Sequence, residues 1–262
     1  LQIRLFDSHC HLDDSRSYGQ DLEAVLQRAD TAGVKKAMVV GVTLESAEKA
    51  VALAKSHNML YASVGIHPHD AKTCSQGVID RLAALAESPK VKAWGEIGLD
   101  FNRMFSPREV QEKWFLRQLT AADRLGLPLI FHERDSNGRF AELLSAHPHK
   151  NRRGVVHCFS GNLAEMTRYL DMGYHIGITG ILTIKQRGQA LRQLAPLIPK
   201  DRLLIETDAP YLTPAPHKNR VRRNEPAFVH ATLLKLAEVR GEAPEELAAA
   251  IWQNTCNFYD IS

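Results

Sequence analysis

Six side chains scattered between positions 9 and 208 are of the types that hold divalent cations: His9, His11, Glu96, His132, His157 and Asp208. His9 and His11 follow an apolar run at 3–7, His132 follows 128–131, His157 follows 154–156, and Asp208 follows 202–205. In an extended segment residues two apart face the same side, so His9 and His11 can present both imidazoles to one ion. Glu96 follows the run 91–95 with Gly95 and Gly98 flanking it, so little bulk crowds a carboxylate that can bridge two cations. Any one of these histidines alone reads as an ordinary structural residue. Their joint placement after apolar runs points to a metal centre. Imidazole and carboxylate donors without thiolate suit zinc, manganese, magnesium or a similar ion. Six ligands are too many for one catalytic site that keeps a position open for water, and two ions sharing Glu96 divide them sensibly.

The elements that must position these groups repeat in a simple order. Apolar strands are expected at 3–7, 37–42, 60–65, 91–95, 128–131, 154–156, 174–178 and 202–205. Helices are expected at 21–32, 44–56, 77–87, 107–125, 139–145, 164–172 and 189–197, with Thr43 as a cap and Pro107 in a favourable first turn. Two more helices, at 226–240 and 244–257, finish the chain. Eight strands alternating with helices imply parallel pairing, and closure gives an α/β fold, a single (β/α)8 TIM barrel with extra C-terminal helices. An open doubly wound sheet is the alternative. The candidate ligands argue for closure, because groups on the first, fourth, fifth, sixth and eighth strands converge most easily in a barrel. No linker, low-complexity tract or charge block divides residues 1–262, so one domain is expected.

Composition sets the remaining bounds. The 262 residues are 44% hydrophobic and 24% charged, as in an ordinary soluble globular protein. No apolar run approaches the roughly 18–20 residues of a membrane span and no signal pattern opens the chain, so a cytoplasmic location is expected. The chain starts on Leu1, which places the expected true N-terminus a little upstream. Cys10, Cys74, Cys158 and Cys256 lie far apart without CxxC spacing, which indicates neither a disulfide framework nor a zinc ribbon. Cys10 and Cys158, each beside a candidate ligand, are expected to be small buried packing groups. The net charge of +3 says little about partners. A monomer is the default, with no protein partner inferable.

The strings DSHCHLD at 7–13, GIHPHD at 65–70, GEIGLDFNR at 95–103, HERD at 132–135, HCFSG at 157–161, IGITG at 176–180 and ETDAPYL at 206–212 together resemble the TatD family of metal-dependent deoxyribonucleases. They cover nearly the whole chain in the family's order. The resemblance implies an amidohydrolase-like metal barrel and a 3′→5′ exonuclease acting on DNA ends, single-stranded DNA first and RNA second. It implies two divalent ions, one held by His9, His11, Glu96 and Asp208, the other by Glu96, His132 and His157. Some branches of the family replace the first two histidines; this sequence keeps both, which favours full occupancy of the first site.

Such ions would activate a water for in-line attack on phosphorus, with Asp208 orienting or deprotonating it. Arg134, two residues beyond His132, can fork onto a phosphate, and His67 can donate to a phosphate oxygen or the leaving group. Lys218, Arg220, Arg222 and Arg223 follow the eighth strand and are expected to contact the nucleic-acid backbone, with steep salt dependence and little sequence preference. Phe101, Phe105, Phe159 and Tyr211 could stack on a terminal base or wall the pocket. Asp100 and Asp135 are expected to orient a ligand or Arg134, and Asp7 the first histidine pair. Metal barrels also hydrolyse esters and amides, so a D-aminoacyl-tRNA deacylase is the alternative. A non-catalytic nucleic-acid-binding metal protein is a second, against which Asp208 counts.

Overall fold

Short aliphatic runs become buried parallel strands when helices cover them, and eight runs of this chain do so. The computed structural model describes residues 3–262, so Leu1 lies outside the described residues. The strands are β1 (Leu5–Cys10), β2 (Val34–Val40), β3 (Leu60–Val64), β4 (Val91–Asp100), β5 (Leu129–Arg134), β6 (Gly154–Val156), β7 (His175–Ile178) and β8 (Leu203–Ile205). They form one sheet in chain order. Helices α1 (Ser15–Tyr18), α2 (Leu22–Thr31), α3 (Leu44–Ser56), α4 (Gln76–Leu85), α5 (Arg108–Leu125), α6 (Arg139–Ala146), α7 (Leu163–Asp171) and α8 (Gln189–Leu194) lie between strands, and α9 (Val229–Arg240) and α10 (Pro244–Tyr259) follow the last. β1 also lies beside β8. The Ser8 hydroxyl donates to the Ile205 carbonyl at 3.0 Å, the Asp208 N–H to His9 at 2.9 Å and the His11 N–H to Ala209 at 2.7 Å. A sheet whose first and last strands adjoin is closed, and with its helices it is a (β/α)8 barrel.

The chain forms two compact units. One comprises residues up to Val39 with Cys158–Leu163 and Ile176–Ser262; the other comprises Val40–His157 and Ala164–His175. In the first, Phe6 of β1 packs on Trp252 and Tyr259 of α10, and Tyr259 donates its hydroxyl to the Ser8 carbonyl at 2.9 Å. In the second, Phe131 of β5 meets Phe115 of α5 and Phe140 of α6, with ring centroids 6.1 and 5.2 Å away. Side chains alternate along a strand, so each outward aromatic turns its neighbour inward: His9 and Asp7 oppose Phe6, and His132 opposes Phe131. The aromatic contacts thereby set which residues face the barrel axis.

Several boundaries differ from the sequence expectation. β1 begins at Leu5 and runs on through His9 to Cys10, β2 starts at Val34, β4 continues to Asp100 and β5 to Arg134. Hydropathy ends a strand at its first charged residue, but the ladder does not: Gly98 pairs with His132 and Asp100 with Arg134. A neighbouring backbone satisfies the N–H and C=O groups whatever side chain the residue carries. Glu96 therefore lies inside β4 rather than at its end. The short α1, capped by the Asp14 carboxylate, was not anticipated, and Pro107 occupies the cap position of α5, not its first turn.

Candidate metal centre

β1 and the end of β8 bring together His9, His11 and Asp208. The two histidine Nε2 atoms are 3.2 Å apart, and Asp208 Oδ1 lies 3.3 Å from His11 and 3.7 Å from His9. Asp208 reaches them from a left-handed backbone conformation, φ 56°, which Asp tolerates better than most residues. Asp7 supports this bend: its carboxylate accepts the Thr207 N–H at 2.8 Å and hydroxyl at 2.6 Å. Its link to the histidine pair is a longer bond from the His9 backbone N–H, 3.4 Å. Burial raises the Asp7 carboxyl to about 8, against the opposing pull of the Thr207 hydrogen bonds.

β4, β5 and β6 bring together Glu96, His132 and His157. Glu96 Oε1 is 2.7 Å from His132 Nδ1 and 3.2 Å from His157 Nε2. Burial works to raise the Glu96 carboxyl, but His157, His67 and His132 outweigh it and hold it well below the usual range. Asp100 fixes the orientation of His132, its Oδ2 accepting from His132 Nε2 at 3.2 Å and from His69 Nε2 at 2.7 Å. A proton on Nε2 leaves Nδ1 as the atom turned to Glu96, the carboxylate–histidine arrangement that positions metal ligands. Although burial disfavours a charged His132, its bonds to Asp100 and Glu96 raise its affinity for a second proton, one that a cation at Nδ1 would replace. Gly98 permits the approach of β4 to β5: with φ 149°, an added Cβ would sit 1.9 Å from the His132 carbonyl oxygen.

Both sets suit an ion. Ligand bonds of about 2.1 Å imply donor–donor edges of roughly 3.0–3.4 Å in octahedral or tetrahedral geometry, close to most of these separations. His67 differs. Its Nε2 lies 3.5 Å from Glu96 and 3.1 Å from His132, but its Nδ1 accepts the His69 backbone N–H at 3.0 Å. A neutral ring then carries its proton on Nε2, the nitrogen from which it can donate a hydrogen bond. Burial, only partly offset by Glu96, lowers His67 to about 4, so the ring is neutral at ordinary pH.

The residues expected to bind substrate divide. Arg134, the last residue of β5, is half-buried and has no carboxylate partner among the described residues; Lys218, Arg220 and Arg222 are exposed and also lack one. Arg223 is engaged instead with Asp21, through two bonds of 2.7 Å, and lies over the Tyr18 ring. Phe159 is buried and therefore no platform, Phe101 lies under the Arg108 guanidinium, and Phe105 and Tyr211 are 56% and 58% exposed. Asp135 accepts from Asn102 at 2.6 Å rather than orienting Arg134. Cys10 is buried as expected, whereas Cys158, at a backbone turn with φ 48°, is only half-buried.

Three supporting residues escaped sequence reasoning. His69 stood in the GIHPHD string two places from His67, a visible signal. Asn224, whose amide donates to the Thr207 and Tyr211 carbonyls at 2.9 and 2.6 Å, stood in an Arg-Arg-Asn-Glu-Pro string. Gln111 of α5, which accepts the Asp100 N–H at 2.8 Å and donates to its carbonyl at 3.0 Å, carried no signal at all.

Comparison with known proteins places the chain in a family. The family model described as TatD related DNase matches residues 6–260. A relative from Citrobacter rodentium (strain ICC168), named 3'-5' ssDNA/RNA exonuclease TatD, is 41% identical over 260 residues, 98% of each chain. The crystal structure of YJJV, a TatD homolog from Escherichia coli k12, superposes with a TM-score of 0.91 at 34% identity and covers 100% of both chains. A hydrolase of the TatD family from Entamoeba histolytica gives 0.89 at 27% identity, again with 100% of both chains covered.

Proposed function

The chain belongs to the TatD related DNase family, and from that membership we propose that it is a divalent-metal-dependent 3′→5′ exonuclease acting on single-stranded DNA ends, with RNA as a second substrate. Two ions are part of the proposal, one on His9, His11 and Asp208 and one on Glu96, His132 and His157, with Glu96 the ligand that the sequence resemblance shares between them. The observation that carries the reading is the pair of histidine–carboxylate clusters, one with its ligand tautomer set by Asp100. Residues 1–262 act as one barrel domain in this reading. Four free thiols suit a reducing, cytoplasmic setting, and no helix among the described residues is long and apolar enough to cross a membrane.

Bound divalent ions would lower the pKa of a water toward neutrality and offset charge on the phosphate. The protein's groups do the rest. Asp208, whose side chain keeps 15% exposure where His9 has none, accepts the proton of the attacking water. His67 donates from Nε2 to a phosphate oxygen or the departing one, and Arg134 holds the phosphate with its planar fork. Lys218, Arg220 and Arg222 attract the backbone.

The test is chelation followed by restoration with Mg2+, Mn2+ or Zn2+ on end-labelled single-stranded DNA, duplex DNA, RNA and an aminoacyl-tRNA. Mononucleotides should appear from single strands, stop with chelator and return with metal. Turnover confined to the aminoacyl-tRNA would replace this reading with the deacylase. Glu96→Gln should abolish metal-dependent hydrolysis, and undiminished activity in it would refute its role.

A further inference from the structure

In the same compact unit as His9, His11 and Asp208, a groove of about 440 Å³ lies open beside the segment that follows Asp208. One wall is apolar, made by Ile181, Ile184, Leu212 and Val221; Arg187, Lys218 and Arg222 supply three cations, and among the described residues no carboxylate lines it. The two sides can approach because residue 180 is glycine: a Cβ there would meet Pro214 at 2.8 Å and the Leu212 carbonyl at 2.9 Å. Tyr211 stands where the groove meets the ligand set. Its N–H donates to the Asp208 carbonyl at 2.8 Å, its ring lies 6.0 Å from that of His11, and more than half of it is exposed.

An apolar wall, one exposed aromatic ring and cations without acidic neighbours match the two faces of a nucleotide, a flat base and an anionic phosphate. We propose that this groove seats the nucleotide adjacent to the one being removed, with its base against Tyr211 and the apolar wall and its phosphate on Lys218, Arg222 and Arg187. The inference rests on the exonuclease reading and deepens it. Because aromatic stacking and phosphate attraction are indifferent to base identity, the subsite favours length over sequence.

The metal-loaded enzyme is assayed on a tetranucleotide and on bis(4-nitrophenyl) phosphate, which is too small to fill both positions. The wild type is compared with Tyr211→Ala, Tyr211→Phe and the double variant Lys218→Ala/Arg222→Ala. Binding of a hydrolysis-resistant phosphorothioate oligonucleotide is followed by fluorescence anisotropy. The preference for the tetranucleotide should fall about tenfold in Tyr211→Ala, through KM rather than kcat, and return in Tyr211→Phe. The double variant should lower the slope of log affinity against log salt by about 1. Unchanged length preference and unchanged oligonucleotide affinity in the variants would overturn the groove, whether or not the enzyme cleaves. Oligonucleotide affinity that falls as expected in the variants, beside a wild type incapable of hydrolysis, would uphold the groove and remove the exonuclease reading.

Discussion

Four hydrogen bonds converge on the Asp100 carboxylate, two from the imidazoles of His69 and His132 and two from the N–H groups of Asn102 and Arg103. Burial alone would raise this carboxyl, and the two imidazoles are what keep it ionised. It holds the ring that faces Glu96, and in the proposed function that is an indirect, positioning part. Asp100→Asn should therefore weaken divalent-ion binding by about 10–100-fold in a calorimetric titration, and unaltered affinity would refute that role. His67 makes the complementary case, since its proton lies on the nitrogen facing the site. His67→Asn should lose about a hundredfold in kcat while binding as many ions as the wild type; loss of an ion would show that His67 is a ligand after all. At this scale the sequence was informative because His, Glu and Asp at the C-terminal parts of strands have few structural reasons to be there together. Tautomers were not legible, because they depend on neighbours such as the His69 N–H and Asp100.

Strand β4 shows how an element carries the site. Ten residues long, it holds both Glu96 and Asp100, and Gly98 between them allows its backbone to lie against His132. Gly98→Ala should destabilise the fold by about 3 kcal/mol or more, because both the clash and the positive φ oppose a side chain. A urea midpoint equal to that of the wild type would contradict this. The segment 220–225 is held differently, by Arg223 on Asp21 and by Arg28 on Glu225. The Arg223 hydrogen bond lowers the Asp21 carboxyl below its ordinary value. A lowered acid stabilises the native state above its unfolded pKa, and that contribution is lost as pH falls through the folded one. Asp21→Asn should accordingly melt below the wild type at neutral pH, and the two should converge as the pH falls below the ordinary carboxylate range; a constant gap would show that the pair does not titrate as described. The strand and helix count was legible from alternating apolar runs. The boundaries were less so, because pairing with a neighbour keeps polar residues such as His132 and Arg134 in the ladder.

Over the whole chain, a net charge of +3 conceals a local asymmetry, with cations at 187, 218, 220 and 222 that have no carboxylate partner among the described residues. The sequence run 217–223 suggested four available cations, but Arg223 finds its partner 202 positions away, a pairing that no local pattern reveals. Gln111 was hidden for a similar reason, its value lying entirely in the Asp100 backbone it brackets. The candidate ligands were easier to read because each sits on or just after an apolar run. The most direct test of the central claim is the metal content of the reconstituted chain, measured by plasma mass spectrometry beside its rate on single-stranded DNA. The account predicts two divalent ions per chain, one lost in His9→Ala/His11→Ala and one in His132→Ala/His157→Ala, with the rate falling in the latter by about a hundredfold or more. Full hydrolysis in excess chelator, or an unchanged ion count in both double variants, would contradict it.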